Sequence, residues 1–521
     1  MTVIFTRRAM VGGLLSGAAG VALAEAPLSS LRPKMRAGDP APALAPETSP
    51  VPRVAPRERT TIAELIDAAN LDGKVSVMLA DAETGEIVES LNADEALPPA
   101  SVTKAVTALY ALDALGPDYH FVTRIFATGP IVGGVLDGDL ILSGGGDPTL
   151  SSDDLADIVA ELQTTGLKEI TGDFLCWRGA LPYAEEIEPS QMDYLGYNPA
   201  VSGLNLNYNR VHFKWSKSGN GWDVELTART ETRVPPVTMA SVRVEDRDGA
   251  VFTVLGPDRW TVKRSALGNG GSRWMPVRQP ALYCGDVFRG LAADAGITLP
   301  APTVVDELPE ERTEFIRHRS APLREILNEM LLYSTNLTAE ICGLTATRAR
   351  SRTALGIRAS AAQMNQWAGQ EHGIECGFVD HSGLSDEDRI SAGDMTKLLV
   401  SAGADSPVRP LMKRITLRDQ EGNLLEHYPA VVRAKTGTLN FVSALSGYIQ
   451  SAEGKDLAFA ILTASPERRA VGIASGDEIP EGARAWNSRS KRLQYTLLRR
   501  WGVVSRGVIP EDAAATVPQG G

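Results

Sequence analysis

The chain has 521 residues, 43% of them hydrophobic and 22% charged, a composition that permits a sizeable packed core and excludes wholesale disorder. Lys and Arg total 52 against 64 Asp and Glu, and the resulting formal charge of −12 argues against a general nucleic-acid binder, which needs a basic face to displace counterions. Four Cys are too few for a disulfide scaffold, and six scattered His without HExxH-type spacing give no metal signature.

At the N-terminus Arg7 and Arg8 precede the uncharged stretch Ala9 to Ala24, AMVGGLLSGAAGVALA. A short positive region, an apolar segment and small residues read as a signal peptide over residues 1–26. Ala22-Leu23-Ala24 and Ala24-Glu25-Ala26 are its candidate cleavage sites, and the Sec and twin-arginine routes both stay open. The apolar segment is shorter than the about 20 residues that span a hydrocarbon core. Residues 27–59, rich in Pro and Ala, read as an extended linker, and residues 507–521 as a loose tail. In an exported protein the four Cys permit two disulfides in three alternative pairings, or buried free thiols.

Val75 to Leu91 alternates around a turn at Ala82 to Gly85 and predicts a β-hairpin. Pro98-Pro99 interrupts the chain, and Ser101 to Leu115 then carries apolar residues at helical spacing up to Gly116-Pro117. From about Phe121 to Leu299 short alternating runs, such as Trp222 to Thr227 and Ser241 to Glu245, predict a mostly β insertion of two lobes. Leu323 to Thr347 returns to a long helical pattern. Phe441 to Ile449 and Asp456 to Thr463 predict a second hairpin. An amphipathic helix follows from about Gly482 to Trp501; its many Arg could touch an anionic membrane surface, but Leu493, Leu497, Leu498 and Trp501 call for a packed core.

Three short motifs carry chemistry. In Ser101-Val102-Thr103-Lys104 the three-residue spacing puts Lys104 on the face of Ser101, where burial and the helix dipole favour a neutral amine able to take the hydroxyl proton. Alone it reads as an N-capping Ser and a solvated Lys, because Ser-x-x-Lys is expected by chance on the order of one or two times in such a chain. Ser334-Thr335-Asn336 interrupts a helical pattern, either as punctuation or as a hydrogen-bonding pair aimed into a cleft. Lys435-Thr436-Gly437-Thr438 follows a strand-like run and supplies a cation, two hydroxyls and a glycine that lets a ligand approach the backbone. Alone it reads as a surface turn, but Lys-Thr-Gly is expected only about 0.1 times by chance.

In this order, the three resemble the S-x-x-K, S-D-N and K-T-G motifs of penicillin-binding proteins and serine β-lactamases. The long separation of the first two, together with Ser143-Gly144-Gly145-Gly146-Asp147-Pro148 and Asp380-His381-Ser382-Gly383-Leu384-Ser385, resembles the D-alanyl-D-alanine carboxypeptidase/endopeptidase family S13. The resemblance implies an α/β (α+β) fold: a transpeptidase-like domain at 60–124 and 306–506, with an antiparallel sheet between helical layers, interrupted by an accessory insertion at 125–305. It implies a periplasmic serine-type carboxypeptidase or endopeptidase acting on peptidoglycan stem peptides, acylated by β-lactam antibiotics, with no metal or other cofactor and at most peripheral membrane contact. Ser101 would be the nucleophile and Lys104 its base; Ser334 would relay the proton and Asn336 hold the substrate amide. Lys435, Thr436 and Thr438 would bind the terminal carboxylate against Gly437, and the N–H groups of Ser101 and Thr438 would form the oxyanion hole. A β-lactamase or esterase with the same trio and a non-catalytic peptidoglycan-binding module are the alternatives.

Two positions depart from the family pattern. His381 stands where Gly is usual and reads as a tolerated loop substitution, or as a cleft residue titrating near neutrality. Asp386 takes the place of an Arg. Asn207 falls where some relatives carry an acidic residue for the substrate's amino group, which puts side-chain preference in question.

Overall fold

The computed structural model describes residues 60–504 apart from 220, 420, 421 and 427, so the expected signal peptide, most of the linker and the tail lie outside the described residues. The hairpin Lys74–Asp81/Ile87–Leu91 forms as expected, and its first strand pairs along its whole length with Asp456–Ala464, near the other end of the chain. Val442–Gln450, Val431–Leu439 and the short Lys413–Ile415 complete a six-stranded antiparallel sheet.

The two central strands are apolar on both faces, which requires a layer on each side. Small side chains dominate one face: Ala80, Ala444, Ala458 and Ala460 pack under the helices Thr103–Leu115 and Ala392–Ala402. Larger ones fill the other, where Val77, Leu79, Phe459 and Ile461 meet Leu493, Leu497 and Trp501 of the final helix Ala483–Trp501. That helix packs as its apolar stripe requires, and on its other side Arg500 pairs with Glu89 at 2.9 Å.

The pattern read as one helix from Leu323 to Thr347 is two. Leu323–Tyr333 ends at Ser334, whose φ of +61° is left-handed, and Asn336–Ser351 starts in a new direction. Left-handed backbone costs a side chain about 1–2 kcal/mol.

The stretch 125–305 carries the predicted strands, found at Gly221–Thr227 and Ser241–Glu245, but also two helices that the sequence reading missed, Ser152–Thr164 and Pro280–Asp294. A five-stranded mixed sheet and three three-stranded sheets surround one continuous core running from Ile125 and Phe174 to Phe252 and Trp260. The five-stranded sheet includes Val122–Ala127 and Thr313–Arg319, which pair antiparallel. All four cysteines are free thiols, and Cys176, Cys284 and Cys342 are buried.

Candidate active site

Ser101 lies on a 3-10 turn, Ala100–Val102, rather than in the α-helix, which begins at Thr103. Ala100 before it has a φ of +47° and is buried, a strained position held by its surroundings. Gly383 packs on it so closely that a Cβ there would lie 1.9 Å from the Ala100 carbonyl oxygen. On the other side a Cβ at Gly437 would lie 2.6 Å from the Pro99 oxygen and 3.1 Å from the Ser101 nitrogen. Both glycines let backbone close on the turn that presents the hydroxyl.

Lys104 is fully buried beneath Ser101. Its Nζ donates to Ser101 Oγ at 2.9 Å, to Asn336 Oδ1 at 2.7 Å and to the Ser382 carbonyl at 2.6 Å. Burial lowers its pKa to about 8, against the opposing pull of Asp380, Glu340 and Asp388.

The left-handed turn at Ser334 aims its hydroxyl at Lys435, whose Nζ donates to Ser334 Oγ at 2.9 Å and to the Thr436 carbonyl at 2.7 Å. Ser334 is thus both the helix break and a member of the cluster. Burial and the nearby Lys104 and Lys413 push the Lys435 ammonium well below its usual range. Asn336 has its amide fixed at both ends, with Oδ1 on Lys104 and Nδ2 donating to the Tyr197 carbonyl at 2.9 Å. Tyr197 lies in the stretch 125–305, and no periodicity in its loop points to it.

Ser101, Ser334, Asn336 and Thr438 line a cleft of about 650 Å³. Thr436 is exposed and lies outside that lining, while Lys104 and Lys435 sit beneath it. The strand Val431–Leu439 pairs outward with Lys413–Ile415 only as far as Ala434, so Lys435 to Leu439 present an open edge. Across the cleft, Arg273 pairs with Glu478 at 3.1 Å and lies against the rings of Tyr194 and Phe252.

The segment Asp380–Ser385 forms the floor. Asp380 accepts the N–H groups of Ser382, Gly383, Leu384 and Ser385 at 2.6–3.0 Å, which shapes the loop that offers the Ser382 carbonyl to Lys104. His381 is fully buried: its Nε2 lies 2.8 Å from Ser360 Oγ, and burial depresses its pKa to about 3. It neither lines the cleft nor titrates near neutrality. Room for its ring comes from Gly343 on the facing helix, where a Cβ would lie 2.2 Å from His381 Cγ. Gly343→Ala is therefore expected to lower stability by about 1–3 kcal/mol, and less in a His381→Gly background, read by urea denaturation. Equal losses in both backgrounds would reject this steric coupling.

Asp386 pairs with Arg469 through Nε at 2.6 Å, so a cation reaches this edge of the cleft from another helix. Asn207 is not a cleft residue. It is buried and clips the helix Ser152–Thr164, accepting from Ser152 N at 3.1 Å and donating to Ser152 Oγ at 2.9 Å. Its neutrality says nothing about substrate side chains.

Fold and site together define a serine acyl-transferring peptidase of the penicillin-binding type. The family described as D-Ala-D-Ala carboxypeptidase 3 (S13) matches residues 59–480, and the chain belongs to that family of serine-type carboxypeptidases. It is 29% identical over 485 residues to a D-alanyl-D-alanine carboxypeptidase of Actinomadura sp. (strain R39), covering 82% of this chain and 86% of the relative. It is 25% identical over 408 residues to the D-alanyl-D-alanine carboxypeptidase DacB of Haemophilus influenzae, covering 72% of this chain and 82% of the relative. Its fold is similar to the crystal structure of penicillin binding protein 4 (dacB) from H. influenzae, with a TM-score of 0.66 and 21% identity over 84% of this chain and 99% of that one.

Proposed function

We propose that the protein hydrolyses the bond between the two terminal D-alanines of peptidoglycan stem peptides, and D-alanyl cross-links between them, through an acyl-enzyme on Ser101. The observation that carries this reading is the pair of buried lysines, each 2.9 Å from a serine hydroxyl at the head of the cleft. The Ser101 proton passes to Lys104 Nζ as Ser101 Oγ bonds to the substrate carbonyl carbon. Charge on the carbonyl oxygen is taken up by the N–H groups of Ser101 and Thr438, fixed before the reaction begins. The proton taken by Lys104 is relayed through Ser334, on Lys435, to the leaving amine as the C–N bond breaks. Lys435 and Thr438 attract the terminal carboxylate, with Thr436 at the rim. An extended peptide fits along the open edge from Lys435 to Leu439. Water then cleaves the ester, its oxygen bonding to the acyl carbon as the C–O bond to Ser101 breaks and one of its protons passing to Ser101 Oγ.

A β-lactam enters the same path and leaves its opened ring on Ser101; the H. influenzae relative has been solved with a novel β-lactam. The reading places the protein in the periplasm, brought there by the segment 1–26. Among the described residues no helix is long and apolar enough to cross a membrane.

The test is an intact-mass time course with benzylpenicillin, alongside assays of D-alanine release from a pentapeptide and of cross-link cleavage. A persistent adduct with D-alanine release supports the proposal. Rapid antibiotic turnover without an accumulating adduct moves the assignment to β-lactamase, and neither reaction leaves a non-catalytic peptidoglycan-binding module.

A further inference from the structure

Glu340 belongs to none of the three motifs. It stands four residues after Asn336 on the helix Asn336–Ser351, so the two share a face one turn apart. It is fully buried and does not line the cleft. Both of its carboxyl oxygens receive the His381 N–H, at 3.1 and 3.2 Å. The next residue, Ser382, gives its carbonyl to Lys104 at 2.6 Å. One helix face thus holds Lys104 directly through Asn336 and indirectly through the loop resting on Glu340.

We propose that Glu340 is a positioning residue for acylation: from beneath the Ser382 loop it sets the proton affinity of the Lys104 amine that receives the Ser101 proton. The inference rests on the acyl-enzyme reading. The charged and titratable groups facing this pair are Asp380, His381 and Asp388 on the loop and Lys435 on the adjoining strand. Asp380 is committed to four backbone N–H groups. Burial and the charge on Asp380 hold Asp388 well above the usual carboxyl range. His381 stays neutral, its ring on Ser360.

Asp380 exerts the largest charge effect on Lys104 and Glu340 the next, so Glu340 is the carboxyl outside the loop whose charge answers that of Lys104. Burial and the charge on Asp380 raise the Glu340 carboxyl, and Lys104 opposes that rise, so the protonation of the two groups is linked. As Ser101 Oγ–H gives its proton to Nζ, a buried ammonium forms, and a Glu340 carboxylate is its counter-charge. The Ser101 oxygen meanwhile bonds to the β-lactam carbonyl carbon, the ring C–N bond breaks and the ring nitrogen is protonated through Ser334.

The experiment measures the benzylpenicillin acylation rate constant by intact mass across about pH 5 to 10 for wild type, Glu340→Gln and Glu340→Asp. Removing the carboxylate makes Lys104 easier to deprotonate, so the acid limb is expected to move to lower pH by about half a unit or more in Glu340→Gln. The plateau rate is expected to fall about tenfold, since the ammonium loses its counter-charge. Glu340→Asp, which keeps the charge but withdraws it, should fall between the two. An acid limb that stays at the wild-type pH in whichever variant folds overturns the proposal, however far the rate drops, because a purely structural role lowers the rate without moving the limb. A wild type that forms no adduct rejects the acyl-enzyme reading and this inference together; an adduct with an unmoved limb rejects this inference alone.

Discussion

Ser101→Ala is expected to abolish the benzylpenicillin adduct and to cut D-alanine release by at least about 10⁴-fold, because the one atom that forms the covalent bond is gone. The variant should fold, since Ser101 is only half-buried and its hydroxyl takes part in a single side-chain contact, with Lys104 Nζ at 2.9 Å. Lys104 keeps two other acceptors, Asn336 Oδ1 and the Ser382 carbonyl, so no buried ammonium is stranded by the change. Intact mass and a coupled D-alanine assay read the result. An adduct on Ser101→Ala would put the nucleophile elsewhere, and Ser334, the other serine held by a buried lysine, would be tested next.

Lys104→Met is expected to slow acylation by about 10² to 10⁴-fold, the range of a positioned general base. Methionine keeps most of the volume of the buried stem, so packing survives while the amine is lost. Two acceptors, Asn336 Oδ1 and the Ser382 carbonyl, lose their donor, at a cost of about 1–3 kcal/mol for each one left unsatisfied. Removing a fully buried cation offsets part of that, so a moderate fall in Tm is expected. The acid limb that reports on Lys104 should also vanish from whatever residual rate persists. A wild-type rate in Lys104→Met would transfer the base role to another group, with Lys435 and Ser334 the nearest pair on the same cleft.

The parts legible in the sequence share one property: their signal is local. The two hairpins, the amphipathic final helix and the helix after Pro98-Pro99 show their own periodicities, and the structure forms all four. Ser101 and Lys104 could be paired on paper because three residues along one chain suffice to bring them to 2.9 Å. The helix Ser152–Thr164 was also readable, with Ser151 and Asp154 forming a capping box ahead of an apolar stripe. The Gly- and Pro-rich text around it reads as short strands and turns, which masks that signal.

What the local signals missed depends on partners far away in the chain. A long apolar period continues through Ser334, and nothing nearby marks the left-handed turn; its partner is Lys435, and the sheet that carries Lys435 is completed by strands from both ends of the folded region. His381 reads as a departure from a pattern until Gly343 is seen facing its ring. Asn207 reads as part of a substrate pocket until its amide is found on Ser152.

By itself, then, the sequence determined the chemistry available to this protein: three motifs in order, with a nucleophile, two lysines and the amide of Asn336. Only the tertiary structure decided how those groups are tuned. A pKa depends on burial and on charges within a few ångströms, and Glu340, Asp380 and Asp388 reach Lys104 from two segments that begin more than 200 residues after it. Spacing along the chain can set which residues share a turn, but the electric field at Nζ is set by whichever elements the core brings against it.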